Sequence, residues 1–444
     1  METTETTETT EITVTKILNR SLNLIVYNSI QISKIMKCKL SVGICSFVFV
    51  VSASAQSLYH VGSEAQNSIP LKWVVGASVF YDDNVNAGYS GDQDGSMGIN
   101  PYVGLSFVNI TPQTTWDVYA RLGLIYYFDA PSNVESENSQ SRLEANLTHR
   151  FDERLRFSSR NFVSYELNPD YSYGYASSAQ NGEYFFWQTD NSLGYRWTER
   201  LGTYTGIVLR GVTYADSDNS DNDQITWEGY NQFRYQFGPQ TVVTFDYRYA
   251  ETYGGGNSSD YSDQFVLLGA EHRFSPNTIG IVRAGAQFRN VTDGDDYSSP
   301  YVEFGLNTQV NQQLKVRAYA RYGLEGYSNV QFDPIAGLVE YNDARALRLG
   351  FTSEYAISPK FSIVGGIDYL PTSYENGQSL SNPLFLGKID DLDQNIFNAN
   401  IGVSMKINEL LTGTLSYNFT DSSSDSDDED YTRNRINLGV SAQF

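Results

Sequence analysis

The last eleven residues of the chain, Asn434 to Phe444, change side-chain character one residue at a time. Ile436, Leu438, Val440, Ala442 and Phe444 fall on one side of an extended strand, and Arg435, Asn437, Gly439, Ser441 and Gln443 fall on the other. Successive strand side chains point to opposite faces, so such a segment has one apolar and one polar surface. The same pattern recurs upstream. In Thr241–Ala250, Val243, Phe245, Tyr247 and Tyr249 oppose Thr244, Asp246 and Arg248. In Leu314–Glu325, Leu314, Val316, Ala318, Ala320, Tyr322 and Leu324 oppose Lys315, Arg317, Tyr319, Arg321 and Glu325. Leu201–Tyr214 is the exception, with apolar residues on both faces.

Short turn signals punctuate these strands at Thr111-Pro112-Gln113, Asp152-Glu153-Arg154, Thr198-Glu199-Arg200, Gly238-Pro239-Gln240, Ser275-Pro276-Asn277, Asn311-Gln312-Gln313, Ser358-Pro359-Lys360 and Asn408-Glu409. Pro, Asn, Asp, Gly and Ser are the residues that tight turns favour. Between these turns lie longer polar stretches such as Asp216–Asp223, Gly254–Asp260, Thr292–Ser299 and Asp421–Asp430. Short turns at one end and long polar loops at the other is the asymmetry of outer-membrane barrels. Eight turns and nine loops make 18 strands, and 16 stays compatible with boundary errors of a few residues. A sandwich would carry turn signals every 8–12 residues, and a propeller four short strands per blade. The expectation is an all-β transmembrane antiparallel β-barrel with short periplasmic turns and long acidic extracellular loops, because lipid forces an open sheet to close.

The N-terminal region reads as export machinery. In residues 36–55, Lys37 and Lys39 precede the apolar run Leu40–Val51 and the small-residue site Ala53-Ser54-Ala55. That is the layout of a secretory signal peptide, and the run is too short to span a bilayer. Residues 1–35, with Glu-Thr-Thr repeats, are expected to be an over-extended start without structure, 56–70 a periplasmic segment, and 71–444 the barrel. Both cysteines, Cys38 and Cys45, lie in the signal, so no thiolate metal site or disulfide is expected in the mature chain. Residues 1–55 carry five basic and four acidic residues, so the formal charge of −22 becomes −23 beyond them. Such an acidic chain is a poor nucleic-acid binder.

An enzymatic reading finds little support. His60, His149 and His272 are scattered, with no neighbouring Ser or Asp pattern, and no catalytic residue or cofactor is expected. Asp425, Asp427, Asp428, Glu429 and Asp430 could offer oxygens to Ca²⁺, but their spacing matches no Ca²⁺ loop, and a solvated loop explains them. The strand faces assign Arg156, Arg160, Arg283, Arg289, Lys315, Arg317, Arg321 and Arg348 to the interior, together with Asp246, Glu271, Glu303, Glu325 and Glu354. A charge facing lipid at mid-membrane costs about 2–4 kcal/mol, which drives these residues inward. There they either set an ion preference across water or pair locally and fill the wall.

At Leu71–Val85 the chain reads LKWVVGASVFYDDNV, and its end, Tyr81-Asp82-Asp83-Asn84-Val85, resembles the opening of the outer-membrane β-barrel porin 2 family. The C-terminal Phe444 looks like the aromatic-ended signal read by the outer-membrane assembly machinery. The resemblance implies a bacterial outer-membrane barrel, in contact with lipid and lipopolysaccharide, with transport implied only loosely. The expected function is a porin-like channel passing small hydrophilic solutes. The alternatives are an export barrel for an acidic exopolysaccharide and a non-conducting surface or adhesion barrel.

Overall fold

The computed structural model describes residues 68–85, 93–131, 134–167, 183–215, 223–255, 260–292, 296–326, 329–333, 337–379, 389–425 and 430–444. The expectations for the start, the signal and most of the 56–70 segment lie outside the described residues, as do those for Asp427, Asp428 and Glu429.

The first strand, β1 (Ile69–Asp82), begins two residues before the expected boundary. Short turns then join β2 (Ser96–Ile110) to β3 (Thr114–Tyr127), β4 (Glu137–Arg150) to β5 (Leu155–Glu166), and β6 (Tyr184–Arg196) to β7 (Leu201–Tyr214). They also join β8 (Gln224–Gln236) to β9 (Thr241–Gly254), β10 (Tyr261–Ser275) to β11 (Thr278–Val291), and β12 (Asp296–Gln309) to β13 (Leu314–Glu325). The short segment β14 (Asn329–Asp333) precedes the last hairpins, β15 (Gly337–Ser358) with β16 (Phe361–Ser379) and β17 (Leu392–Lys406) with β18 (Leu411–Ser424). The chain ends in β19 (Tyr431–Gln443). Every expected short turn is in place. Both β13 and β14 pair with the long β15, so β14 prolongs one stave, and the wall has 18 staves.

Seven of the eight turns are built by the side chain of their first residue, and Gly238–Gln240 closes by backbone bonds alone. The Asp152 Oδ1 accepts the Arg154 and Leu155 N–H groups at 2.6 and 2.8 Å, and Asn311 and Asn408 do the same for their own turns. Those two amides hold the Asp152 carboxyl below the usual carboxylate range. Thr111, Thr198, Ser275 and Ser358 use hydroxyls in the same way. Such Asx and ST turns give the backbone a partner inside three residues, which is why these types punctuate the sequence.

All neighbours in the sheet are antiparallel, and β1 pairs with β19 to close it, Val74 facing Gln443 and Asp82 facing Arg435. At the short-turn end of this seam Trp73 and Phe444 exchange both backbone hydrogen bonds, at 3.0 and 2.6 Å. At the other end the Tyr81–Val85 motif is a clasp. The Arg433 guanidinium donates to both Asp82 carboxylate oxygens, the Asn434 backbone and amide N–H groups donate to Asp83, and Asn84 donates to the Thr432 carbonyl.

The outward face carries an apolar belt: Leu122, Leu268 and Leu438 stand 58%, 65% and 58% exposed, with aromatics such as Trp73, Trp197, Phe237 and Phe274 toward the short-turn end. An apolar surface of this extent is stable only against lipid. His149 and His272 also lie on this outer face, near the short turns. Each has its Nδ1 2.8 Å from a Thr Oγ1 and its ring edge-on to a Phe, Phe151 or Phe274.

The inner face departs from a uniformly polar lining near the long-loop end. Phe80, Val85, Ile125, Tyr127 and Leu167 pack together there, and Tyr184, Phe186, Val212 and Tyr214 form a second cluster. This explains the two-sided apolar character of Leu201–Tyr214: its inward Val208 and Val212 meet aromatics of β6 and β8 rather than water.

The clasp is testable. Removing one partner of a buried ion pair costs about 3–5 kcal/mol, so Asp82→Ala should lower the urea midpoint of the vesicle-inserted barrel markedly. The double change with Arg433→Met should recover most of that loss. An unchanged midpoint for Asp82→Ala would remove the clasp from barrel closure.

Candidate functional site

The inward polar residues gather on β8–β13 and β15, and the ladder explains why. Alternation aims every second side chain of these strands at the same interior, and long Arg and Glu side chains reach across two or three neighbours. Arg283 on β11 sits at the centre, fully buried, with Asp246, Glu271 and Glu303 at 3.5, 3.5 and 3.2 Å. Arg248 on β9 makes two hydrogen bonds to Glu303 on β12, at 3.0 and 3.3 Å, passing over two intervening strands. The Tyr301 hydroxyl donates to the same carboxylate at 2.6 Å. Arg234 on β8 forks onto Glu271 of β10, and Gln232 donates to Asp246.

A second group lies toward the long-loop end. Arg289 holds both oxygens of Asp263, at 2.9 and 2.8 Å, and donates to the Glu325 carbonyl. Arg348 forks onto Glu325 at 2.6 and 2.5 Å, and Arg321 donates to the same carboxylate. Gln287 bridges Asp263 and the Leu324 backbone. Across the two groups five carboxylates meet six guanidiniums.

In this arrangement the inward charges of β8–β13 and β15 pair locally. Arg283, Arg348, Asp246, Glu303 and Arg289 are buried and face one another instead of opposing across open water. Charge-assisted forks of this kind are short and directional, so they tie the strands together as a polar inner wall. Arg321 and Glu325 join it. Lys315 and Arg317 sit on the same face near the Asn311–Gln313 turn, where exposed Lys315 pairs with Glu354 at 3.2 Å. Arg156 and Arg160 lie elsewhere, on β5.

Sequence reasoning left Arg234, Arg248, Asp263 and Tyr301 out of the candidate set. Arg248 was legible from its alternation with Asp246. The others were hidden because nothing local says that β8 and β10 side chains reach each other. Among the described residues no cluster of His, Cys, Asp or Glu has a metal-binding arrangement.

Two cavities flank the wall. One, of about 120 Å³, lies among β6–β13 and is lined by Arg210, Thr226, Glu228, Tyr261, Arg289 and Arg321 among others. The other, about 630 Å³, opens at the short-turn end, and Arg150, Arg154, Arg156, Arg196, Arg200 and Arg234 line it. Its acids are fewer: Asp152 is committed to its turn, and Glu153 and Glu199 stand beside it. A basic mouth on a chain of net charge −22 separates positive charge at one end from the Asp-rich loops at the other.

No family model matches the chain, and no curated protein does. Solved structures of similar shape include OccK2 (OpdF) of Pseudomonas aeruginosa, at 10% identity and a TM-score of 0.44 over 84% of this chain and 98% of that one. OccAB4 of Acinetobacter baumannii is 13% identical, with a TM-score of 0.42 over 85% and 99% of the two chains. The outer membrane protein OpdK of Pseudomonas aeruginosa is 11% identical, with a TM-score of 0.42 over 84% and 99%.

The inner wall makes its own prediction. Glu303→Gln leaves Arg248 and Arg283 facing a neutral group and should destabilise the barrel by about 3–5 kcal/mol. The exposed pair member Lys315→Gln should shift stability by less than about 1 kcal/mol. Urea midpoints of the two variants check the difference.

Proposed function

We propose that this chain is an outer-membrane porin-like channel that passes small hydrophilic solutes by diffusion. The observation that carries the reading is the closed 18-stave wall, apolar outside and lined by paired charges and a basic mouth inside. Barrels of 16–18 strands are wide enough for an aqueous path. The polar wall holds its side chains in fixed positions, so the channel keeps its bore while solutes exchange hydrogen bonds with its surface. The short turns face the periplasm in this reading, and the long acidic loops face outward. We read the chain as a channel and not an enzyme, because His149 and His272 belong to the outer girdle and are coupled to threonines. The likeness of Tyr81–Val85 to the porin 2 family is part of the same proposal. So are the roles of Arg156, Arg160, Lys315, Arg317 and Arg321 as lining residues and of Phe444 as the assembly signal.

The arginine-lined mouth favours one second reading. A chain exporting an acidic polysaccharide would present positive charge on the periplasmic side, where the polymer arrives. Planar-bilayer recording separates the two. Steady steps of conductance in simple salt are expected for the porin, whereas a barrel silent until an anionic polymer is added supports export. Silence under both conditions would leave only the surface-barrel reading.

The mouth also sets the ion preference. Reversing Arg154, Arg196 and Arg200 to Glu should move the zero-current potential in a salt gradient toward cation selectivity, with conductance retained. An unmoved potential would take these arginines out of the ion path.

A further inference from the structure

Among the described residues the outward belt is most polar on β5–β8. Elsewhere between the aromatic residues the wall is mainly apolar, as with Leu143 and Leu147 on β4, Val243 and Phe245 on β9, and Leu349 and Phe351 on β15. On β5–β8 the same band presents Ser159, Asn161, Thr189, Asn191, Thr205 and Asn231, with Leu193 and Ile207 between the β6 and β7 members. These residues share one level: Asn161 pairs across the ladder with Thr189, Ser159 with Asn191, and Thr205 with Asn231. Trp187 and Trp227 stand on their long-loop side and Tyr195, Trp197 and Tyr235 on their short-turn side, so the patch lies within the hydrocarbon layer.

The patch is wired internally. Thr189 donates to the Asn161 Oδ1 at 2.8 Å, Asn161 donates to the Ser159 hydroxyl and the Ala145 carbonyl, and Asn191 donates to Thr189 at 2.8 Å. Asn231 donates to Thr205 at 2.7 Å. An amide has four hydrogen-bonding positions, and Asn191 and Asn231 use one each within the described residues. Against acyl chains the remainder has no partner, which lipid penalises strongly.

We propose that the outward face of β5–β8 is the contact between two copies of this chain, sealed by amide hydrogen bonds inside the membrane. Three properties select a second copy. The patch carries no charge, so neither an anionic headgroup nor a charged partner complements it. Each of its groups both donates and accepts, so the pattern fits its own image across a two-fold axis. It lies at a depth reached only by another membrane wall, and a second copy brings girdles at matching heights. Beside Leu193 and Ile207 the side chains are small, and Gly229 is open: a Cβ there would meet nothing nearer than the Trp227 ring at 3.8 Å. Close approach of small residues with polar groups as links is how membrane segments associate without a hydrophobic drive. The proposal rests on membrane embedding and not on conduction, so a silent barrel would leave it standing.

The test uses the protein taken from outer membranes in mild detergent, with Cys38 and Cys45 replaced by Ser. Native mass spectrometry should find two chains, and Asn161→Leu with Asn191→Leu should halve that mass while the barrel keeps its compact gel mobility. Independently, Asn191→Cys should cross-link on oxidation to a band of two chains, whereas Leu415→Cys on the outward face of β18 should not. A single-chain mass for the parent protein overturns the proposal. So does equal cross-linking at both positions, or capture of a different protein at Asn191→Cys. If the double leucine variant does not fold, the cysteine pair decides alone.

Discussion

The structure depends on the obligation of every backbone amide in a lipid layer to find a partner within the protein. Seventeen of the eighteen lateral contacts follow from chain order, because each stave pairs with the next one along the chain. The eighteenth, β1 against β19, joins the two ends of the chain and has no connecting turn. It carries most of the entropic cost of closing a long loop. Here the chain supplies a forked Arg433–Asp82 pair and a doubly bonded Asp83–Asn434 pair at one end, and the Trp73–Phe444 backbone exchange at the other. Without this seam the first and last strands would present unpaired edges to lipid.

Once closed, the wall confronts its interior with a surplus of charge, and the chain resolves this by pairing. Arg283 alone neutralises parts of three carboxylates from β9, β10 and β12. Positive charge gathers at the short-turn mouth, where side chains from two turns and the neighbouring strand ends converge. The inner wall thus supplies rigidity and the mouth supplies field.

Much of this was legible in the chain. Seven of the eight turns are placed by residues whose side chains bond their own backbone, an interaction confined to three or four positions, and a count of 18 strands, with 16 left open, follows from the turns. The direction of each side chain follows from period two, which is why Asp246, Arg283, Glu303 and Arg348 could be assigned inward before their partners were known. The Tyr81–Val85 motif was legible only as a resemblance. Its work as a clasp depends on Arg433 and Asn434, some 350 positions away.

The sequence by itself determined which residues share a face and where the chain reverses, because both arise from contacts between near neighbours along the chain. Only the tertiary structure decided that the inward charges are paired and largely dry. It also decided that Val208 and Val212 point into an aromatic cluster, and that four adjacent strands share a polar outer patch. Those outcomes depend on the register between strands far apart in sequence, where a shift of one residue would exchange the two faces and undo every pair.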